Sequence, residues 1–140
     1  MKQIEGLVGY QLVQLSRAHR NRADVLLGQL GLHAGQEMTL FRLWQEEGLT
    51  HTQLAESLCV EPPTLSRMLQ RMEAAGLLTR QPDAEDARIS RVYLTDRGRS
   101  LEKPVLEAWN RLEDETVQGL TETEQLLLRR LLMQLRANLS

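Results

Sequence analysis

The chain has 140 residues, 41% of them hydrophobic and 26% charged, with a formal net charge of −2. That length predicts one domain with a sizeable core, and the composition excludes a disordered chain. The charge argues against a strongly basic coat protein that binds nucleic acid nonspecifically, but it leaves site-specific binding open, because there the placement of the cations decides.

No apolar run approaches the roughly 20 residues of a membrane span. The opening stretch, Met1-Lys2-Gln3-Ile4-Glu5-Gly6, lacks the apolar core of a signal peptide. One cysteine, Cys59, excludes an internal disulfide and gives no sign of export. A cytoplasmic location is the expectation.

In chain order, Ile4, Leu7, Val8, Leu12, Leu15 and Ala18 recur at three- and four-residue steps, and Leu26, Leu27 and Leu30 continue them. This predicts a long amphipathic helix capped by Gly31. A second helix is predicted over 34–47, burying Met38, Phe41 and Trp44 and stopping at Gly48. Thr50 with Gln53 makes a capping box, which opens a short helix through Leu54, Ala55 and Leu58. Cys59-Val60-Glu61 is long enough only for a turn. Pro62 suits the first turn of the next helix, where its missing N–H costs nothing. That helix buries Leu65, Leu69 and Met72 and ends at Gly76. A short helix, a tight turn and a longer helix make a helix-turn-helix.

Two strands are predicted over 77–81 and 89–94, where Ile89, Val92 and Tyr93 favour a pleated surface. The polar stretch between them makes a hairpin with a long loop, in the position of a wing. Thr95 caps a further helix whose apolar face is Leu101, Val105, Ala108, Trp109 and Leu112, with Pro104 expected to kink it or mark an irregular turn. Thr121 with Glu124 is a second capping box. It starts a last helix carrying Leu126, Leu127, Leu128, Leu131, Leu132, Leu135 and Leu139. The predicted class is mainly α with a small β-hairpin wing (α+β), a winged helix-turn-helix with terminal dimerisation helices.

With Leu65, Leu69 and Met72 turned inward, Thr64, Ser66, Arg67, Gln70 and Arg71 face outward or flank the apolar stripe. Arg suits guanine or phosphate, Gln suits adenine, and Ser or Thr suits either. An α-helix fits the major groove and can deliver them there. Thr52 and Pro63 complete this candidate set. The stretch 62–80 is net basic, with Arg67, Arg71 and Arg80 against Glu73. In the wing, Arg88 or Arg91 suits the narrow minor groove, and Asp86 can hold an Arg by a charge-assisted pair.

The runs Leu54-Ala55-Glu56, Thr64-Leu65-Ser66-Arg67, Gly76-Leu77-Leu78-Thr79-Arg80, Asp86-Ala87-Arg88 and Leu94-Thr95-Asp96-Arg97-Gly98 occur in order. Over about 32–101 the chain resembles the MarR family of bacterial transcription regulators. The resemblance implies a homodimer with intertwined terminal helices that offers two winged helices to a palindromic operator in double-stranded DNA. It implies a repressor released by a small, often phenolic, ligand or by thiol oxidation. It makes 62–75 the recognition helix and Arg88 the wing arginine, oriented by Asp86. Ala87 stands where the family pattern has a second arginine, and Pro62-Pro63 is less usual at the helix start.

The expected organisation is one domain over 1–140, with a DNA-binding part over 32–100 and a helical dimerisation part over 1–31 and 101–140. Ile4, Leu7, Leu128, Leu131, Leu132 and Leu135 are the expected dimer contacts, because a two-fold partner covers both apolar stripes. Two subunits also set recognition helices about 34 Å apart, one DNA turn. An effector pocket is expected between the dimer helices and the winged part. Its candidates are Arg17, His19, Arg20, His33, Met38, Phe41, Trp44 and Trp109. The family's peroxide-sensing cysteine lies near the amino end, so Cys59 is not its counterpart. A buried structural thiol is the expectation, with a redox switch as the alternative.

Enzyme function is not expected: there is no Gly-rich phosphate loop, nucleophile elbow or His-Glu zinc motif. Glu46-Glu47 and Asp114-Glu115 diverge on their helices rather than converge. His19, His33 and His51 lack metal-ligand spacing, and no cofactor is implied. The rival reading is a winged helix used for protein contact without DNA.

Overall fold

The computed structural model describes residues 3–140. A single 3-10 turn, Ile4–Gly6, precedes α1, Val8–Gly28. The continuous first helix expected from Ile4 is therefore broken at Leu7, which is extended with ψ 145°. Gly6 lies at the break, and glycine loses the most backbone entropy on entering a helix. Gly31 and Gly76 end α1 and α4 alike, with φ of 78° and 74°. Each lets the following N–H reach back five residues, Leu32 to Leu27 and Leu77 to Met72, both at 3.0 Å. Leu32 and Leu77 are buried in consequence.

The second helix, α2, runs Gln36–Gln45 and buries Leu40 and Leu43. Met38, expected inside, is 45% exposed, and Phe41 and Trp44 are only partly buried against the core. Two residues rotate a helix by about 200°, so Met38 points away from the side Leu40 presents. Next come β1, Leu49–Thr50, α3, His51–Leu58, and α4, Pro62–Ala74. The capping box of α3 forms: Gln53 N–H donates to Thr50 Oγ1 at 3.2 Å, and Thr50 N–H donates to Gln53 Oε1 at 2.9 Å.

The hairpin is β2, Leu78–Pro82, and β3, Ser90–Leu94. With β1 it makes a three-stranded antiparallel sheet ordered β1-β3-β2, in which Leu78 faces Leu94 and Leu49 faces Val92. Ile89 falls outside the strand and is 39% exposed. The two-residue β1 was not predicted, because two residues cannot display an alternation.

Three further helices follow: α5, Asp96–Ser100, α6, Glu102–Thr116, and α7, Glu122–Leu139. The chain breaks at Leu101, and Pro104 lies in the first turn of α6. Of the two expectations the irregular turn is found, at Leu101, and Pro104 sits just after it in the first turn of a new helix, where N–H groups have no helical partner. The core gathers Leu40, Leu43, Leu54, Leu65, Leu69, Met72 and Val92. α1 packs along α6, α2 lies against α3 and α6, and α4 packs on α3 and β2. Arg22 ties α1 to α6 through two bonds to Glu115, at 2.6 and 2.8 Å.

No residue of α7 is buried. Leu126, Leu127, Leu128, Leu131, Leu132 and Met133 are exposed by 37 to 69%. Ile4, Leu7, Val8, Val13 and Leu15 at the other end of the chain are exposed by 44 to 69%.

Candidate nucleic-acid interface

The turn between α3 and α4 is built on Cys59, the one non-glycine residue of positive φ (53°) among the described residues. Its conformation lets Val60 N–H reach Ala55 O at 3.1 Å. The same conformation turns the thiol outward, so Cys59 is exposed, not the buried structural thiol expected from sequence. Leu58 and Val60 on either side supply the partly buried contacts.

On α4, Leu65, Leu69 and Met72 are buried, and Thr39 Oγ1 donates to Met68 Sδ at 3.2 Å from α2. The opposite side carries Pro63, Thr64, Arg67, Gln70 and Arg71, all exposed, with Thr52 exposed on α3. No ion pair of the described residues takes up Arg67 or Arg71. Arg80 is different: it bonds Glu73 at 3.1 Å, and that pair holds the Glu73 carboxyl below its ordinary pKa. Its charge is therefore neutralised at the end of α4. Ser66 is half-buried, with its Oγ 2.9 Å from His51 Nε2. Sequence reasoning missed His51, because a contact from the first residue of α3 to α4 has no periodic signature.

In the wing, Asp86 receives Arg88 on both carboxylate oxygens, Nε at 3.0 Å and a terminal nitrogen at 3.1 Å. The guanidinium lowers the Asp86 pKa, and the carboxylate raises that of Arg88. The Arg88 side chain remains 91% exposed. Arg91 is held instead: Nε bonds Asp83 at 2.5 Å and Nη1 bonds the Gly48 carbonyl at 2.7 Å. Asp83 was read from sequence only as part of a turn-prone loop. Its pKa is lowered, first by Arg91 and then by the backbone N–H groups of Asp86 and Glu85.

Of the expected effector residues, four come together. His19 meets Trp109 edge-on at 5.7 Å, Trp109 meets Phe41 at 6.0 Å, and Phe41 meets Trp44 at 5.5 Å. Both indole N–H groups are used, Trp44 on the Gly98 carbonyl at 2.9 Å and Trp109 on Glu37 Oε2 at 3.2 Å. Glu37, only 2% exposed, also accepts from Gly35 N–H at 2.5 Å. It escaped the sequence reading because nothing in its neighbours distinguishes it from a solvated acid. Arg17, Arg20, His33 and Met38 are exposed and outside this stack. A groove of about 870 Å³ lies elsewhere, between α1, α6 and α7, lined by Leu12, Leu15, Val117, Leu128 and Leu132. His19 alone of the expected set reaches it.

A helix-turn-helix followed by a hairpin defines a winged helix-turn-helix protein. The sequence model of the MarR family matches residues 32–90. The organic hydroperoxide resistance transcriptional regulator of Bacillus subtilis (strain 168) is 33% identical over 104 residues, 74% of this chain and 71% of that protein. A mutant MarR from E. coli, solved in complex with operator DNA, superposes with a TM-score of 0.85 at 25% identity, covering 91% of this chain and 92% of that one. MepR of S. aureus, also solved with DNA, gives 0.83 at 27% identity, over 99% and 100%. The chain belongs to the MarR family. The Bacillus subtilis relative is a transcription regulator. Among the described residues no helix is long and apolar enough to cross a membrane.

Proposed function

We propose that this chain is a homodimeric, sequence-specific DNA-binding repressor, released by a small ligand or an oxidant. One observation carries the reading: α4 turns Thr64, Arg67, Gln70 and Arg71 to solvent beside a wing whose Arg88 is clamped outward by Asp86. In this reading α4 enters the major groove and Arg88 meets the minor groove. Residues 32–100 form the DNA-binding part, and 1–31 with 101–140 form the dimerisation part of a single domain acting in the cytoplasm. The relatives solved with DNA support it.

The dimer rests on the unburied apolar sides of α1 and α7, which a two-fold partner would cover. The effector site is assigned to the junction of α1, α2 and α6, where His19, Phe41 and Trp109 meet. The exposed Cys59 supports the oxidant alternative, and a Cys59→Ser chain that keeps a full peroxide response removes it.

The test is selection of duplexes from a random-sequence pool by the purified chain, followed by gel shift across a salt series. A two-fold symmetric site is expected, with affinity falling steeply as salt rises. No shift at low salt, together with capture of a protein partner, favours the protein-contact reading.

A further inference from the structure

The two wing arginines differ in kind. Arg88 has its guanidinium in water, 91% exposed, whereas Arg91 is 36% exposed and its Asp83 partner 16%. Arg91 points back into the protein, bonding Asp83 Oδ1 and the Gly48 carbonyl. Gly48 is itself fixed to β3, since its N–H donates to Val92 O at 2.8 Å. The other Asp83 oxygen accepts from the backbone N–H of Glu85 and of Asp86, each at 3.0 Å. Asp86 then accepts from Arg88 through its backbone N–H at 3.0 Å as well as its side chain. An unbroken chain of bonds therefore runs from the body of the fold through Arg91 and Asp83, along the wing backbone, to the Arg88 guanidinium.

We propose that Arg91 is a positioning residue: with Asp83 it fixes the wing turn so that Asp86 presents Arg88, and it does not itself meet DNA. The proposal deepens the DNA-binding reading and rests on it for its consequence. To reach a phosphate, Arg91 must give up bonds to a carboxylate and a carbonyl. Charge-assisted bonds of this kind are the stronger ones. The Asp83 carboxylate beside it would also repel an approaching phosphate once Arg91 left it.

Two measurements test this. In the DNA-free chain, Arg91→Gln and Asp83→Ala are expected to speed amide hydrogen exchange at Glu85 and Asp86 by about tenfold, with core amides of α4 unchanged. Unchanged exchange at Glu85 and Asp86 overturns the relay whether or not the chain binds DNA. On a duplex selected from a random pool, Arg88→Gln, Arg91→Gln and Asp83→Ala are each expected to weaken binding by about tenfold. Arg91→Gln in the Arg88→Gln background is then expected to add less than about twofold, because a residue that acts through another loses its effect when the other is gone. Multiplying effects overturn the proposal, as does tighter binding by Asp83→Ala, which would mean that a freed Arg91 reaches DNA. Failure of the parent chain to bind any selected duplex fails the DNA-binding reading instead.

Discussion

Arg67 and Arg88 carry the same charge in opposite settings, one without an ion-pair partner among the described residues and the other gripped by Asp86. In the proposed function both reach DNA, Arg67 free to choose its partner and Arg88 already ordered. Arg67→Ala and Arg88→Ala are each expected to cost about 1–3 kcal/mol of DNA binding, read by fluorescence anisotropy, with the sedimentation coefficient unchanged. Acid should act on the wing carboxylates. Folded Asp83 and Asp86 titrate below their ordinary range because of their arginine and backbone donors. Their stabilisation is complete above the unfolded-state pKa of about 4 and is lost as pH falls through the lower folded value. Urea midpoints between pH 6 and pH 2.5 should therefore fall less steeply in Asp86→Asn than in the parent. Equal slopes would deny Asp86 that role. At the other end of the molecule, Trp109→Phe removes the donor to Glu37 Oε2. Leaving that buried oxygen unpaired should cost about 1–3 kcal/mol in urea unfolding.

The elements divide by how local their causes are. Both capping boxes, at Thr50 and Thr121, form as read, since the partners lie three residues apart and need nothing else. The inward stripe of α4 is also as read. Met38 was misassigned because α2 has apolar residues on more than one side, and only its neighbours decide which side is covered. α5 shows the same dependence at one atom. A Cβ on Gly98 would lie 2.2 Å from the Leu77 carbonyl oxygen and 3.1 Å from Leu94 Cδ2. That carbonyl also accepts from Thr95 N–H at 3.1 Å, so it is held by the backbone. An ordinary exposed helix position gains about 1 kcal/mol on changing Gly to Ala. Gly98→Ala should instead lose about 2–3 kcal/mol, a reversal of sign that chemical denaturation reads directly.

For the whole molecule, the exposed apolar sides of α1 and α7 are the largest unanswered feature of a lone chain. In the proposed dimer, Leu128 and Leu132 lie in the groove that a partner fills. Leu128→Asp with Leu132→Asp should yield a monomer in sedimentation equilibrium and lower the affinity for a two-fold site by at least about 100-fold, since each half-site then binds alone. A parent chain that sediments as a monomer would refute the dimer.

The sequence by itself determined the order of the main elements, without β1 and without the division of α5 from α6, together with the capped starts of α3 and α7, the buried stripe of α4 and the likeness to the MarR family. Those features rest on neighbours within one or two helical turns or on short ordered motifs. Tertiary structure alone decided that Cys59 faces water, that Ser66 is tied to His51, and that Glu37 is buried under Trp109. It also decided that Arg91 turns inward while Arg88 turns outward. Arg91 sits opposite Thr50 in the sheet, next to Gly48, some forty positions away in the chain. Which way a charged side chain points depends on the oxygen atoms the fold brings beside it, and spacing along the chain carries no record of them.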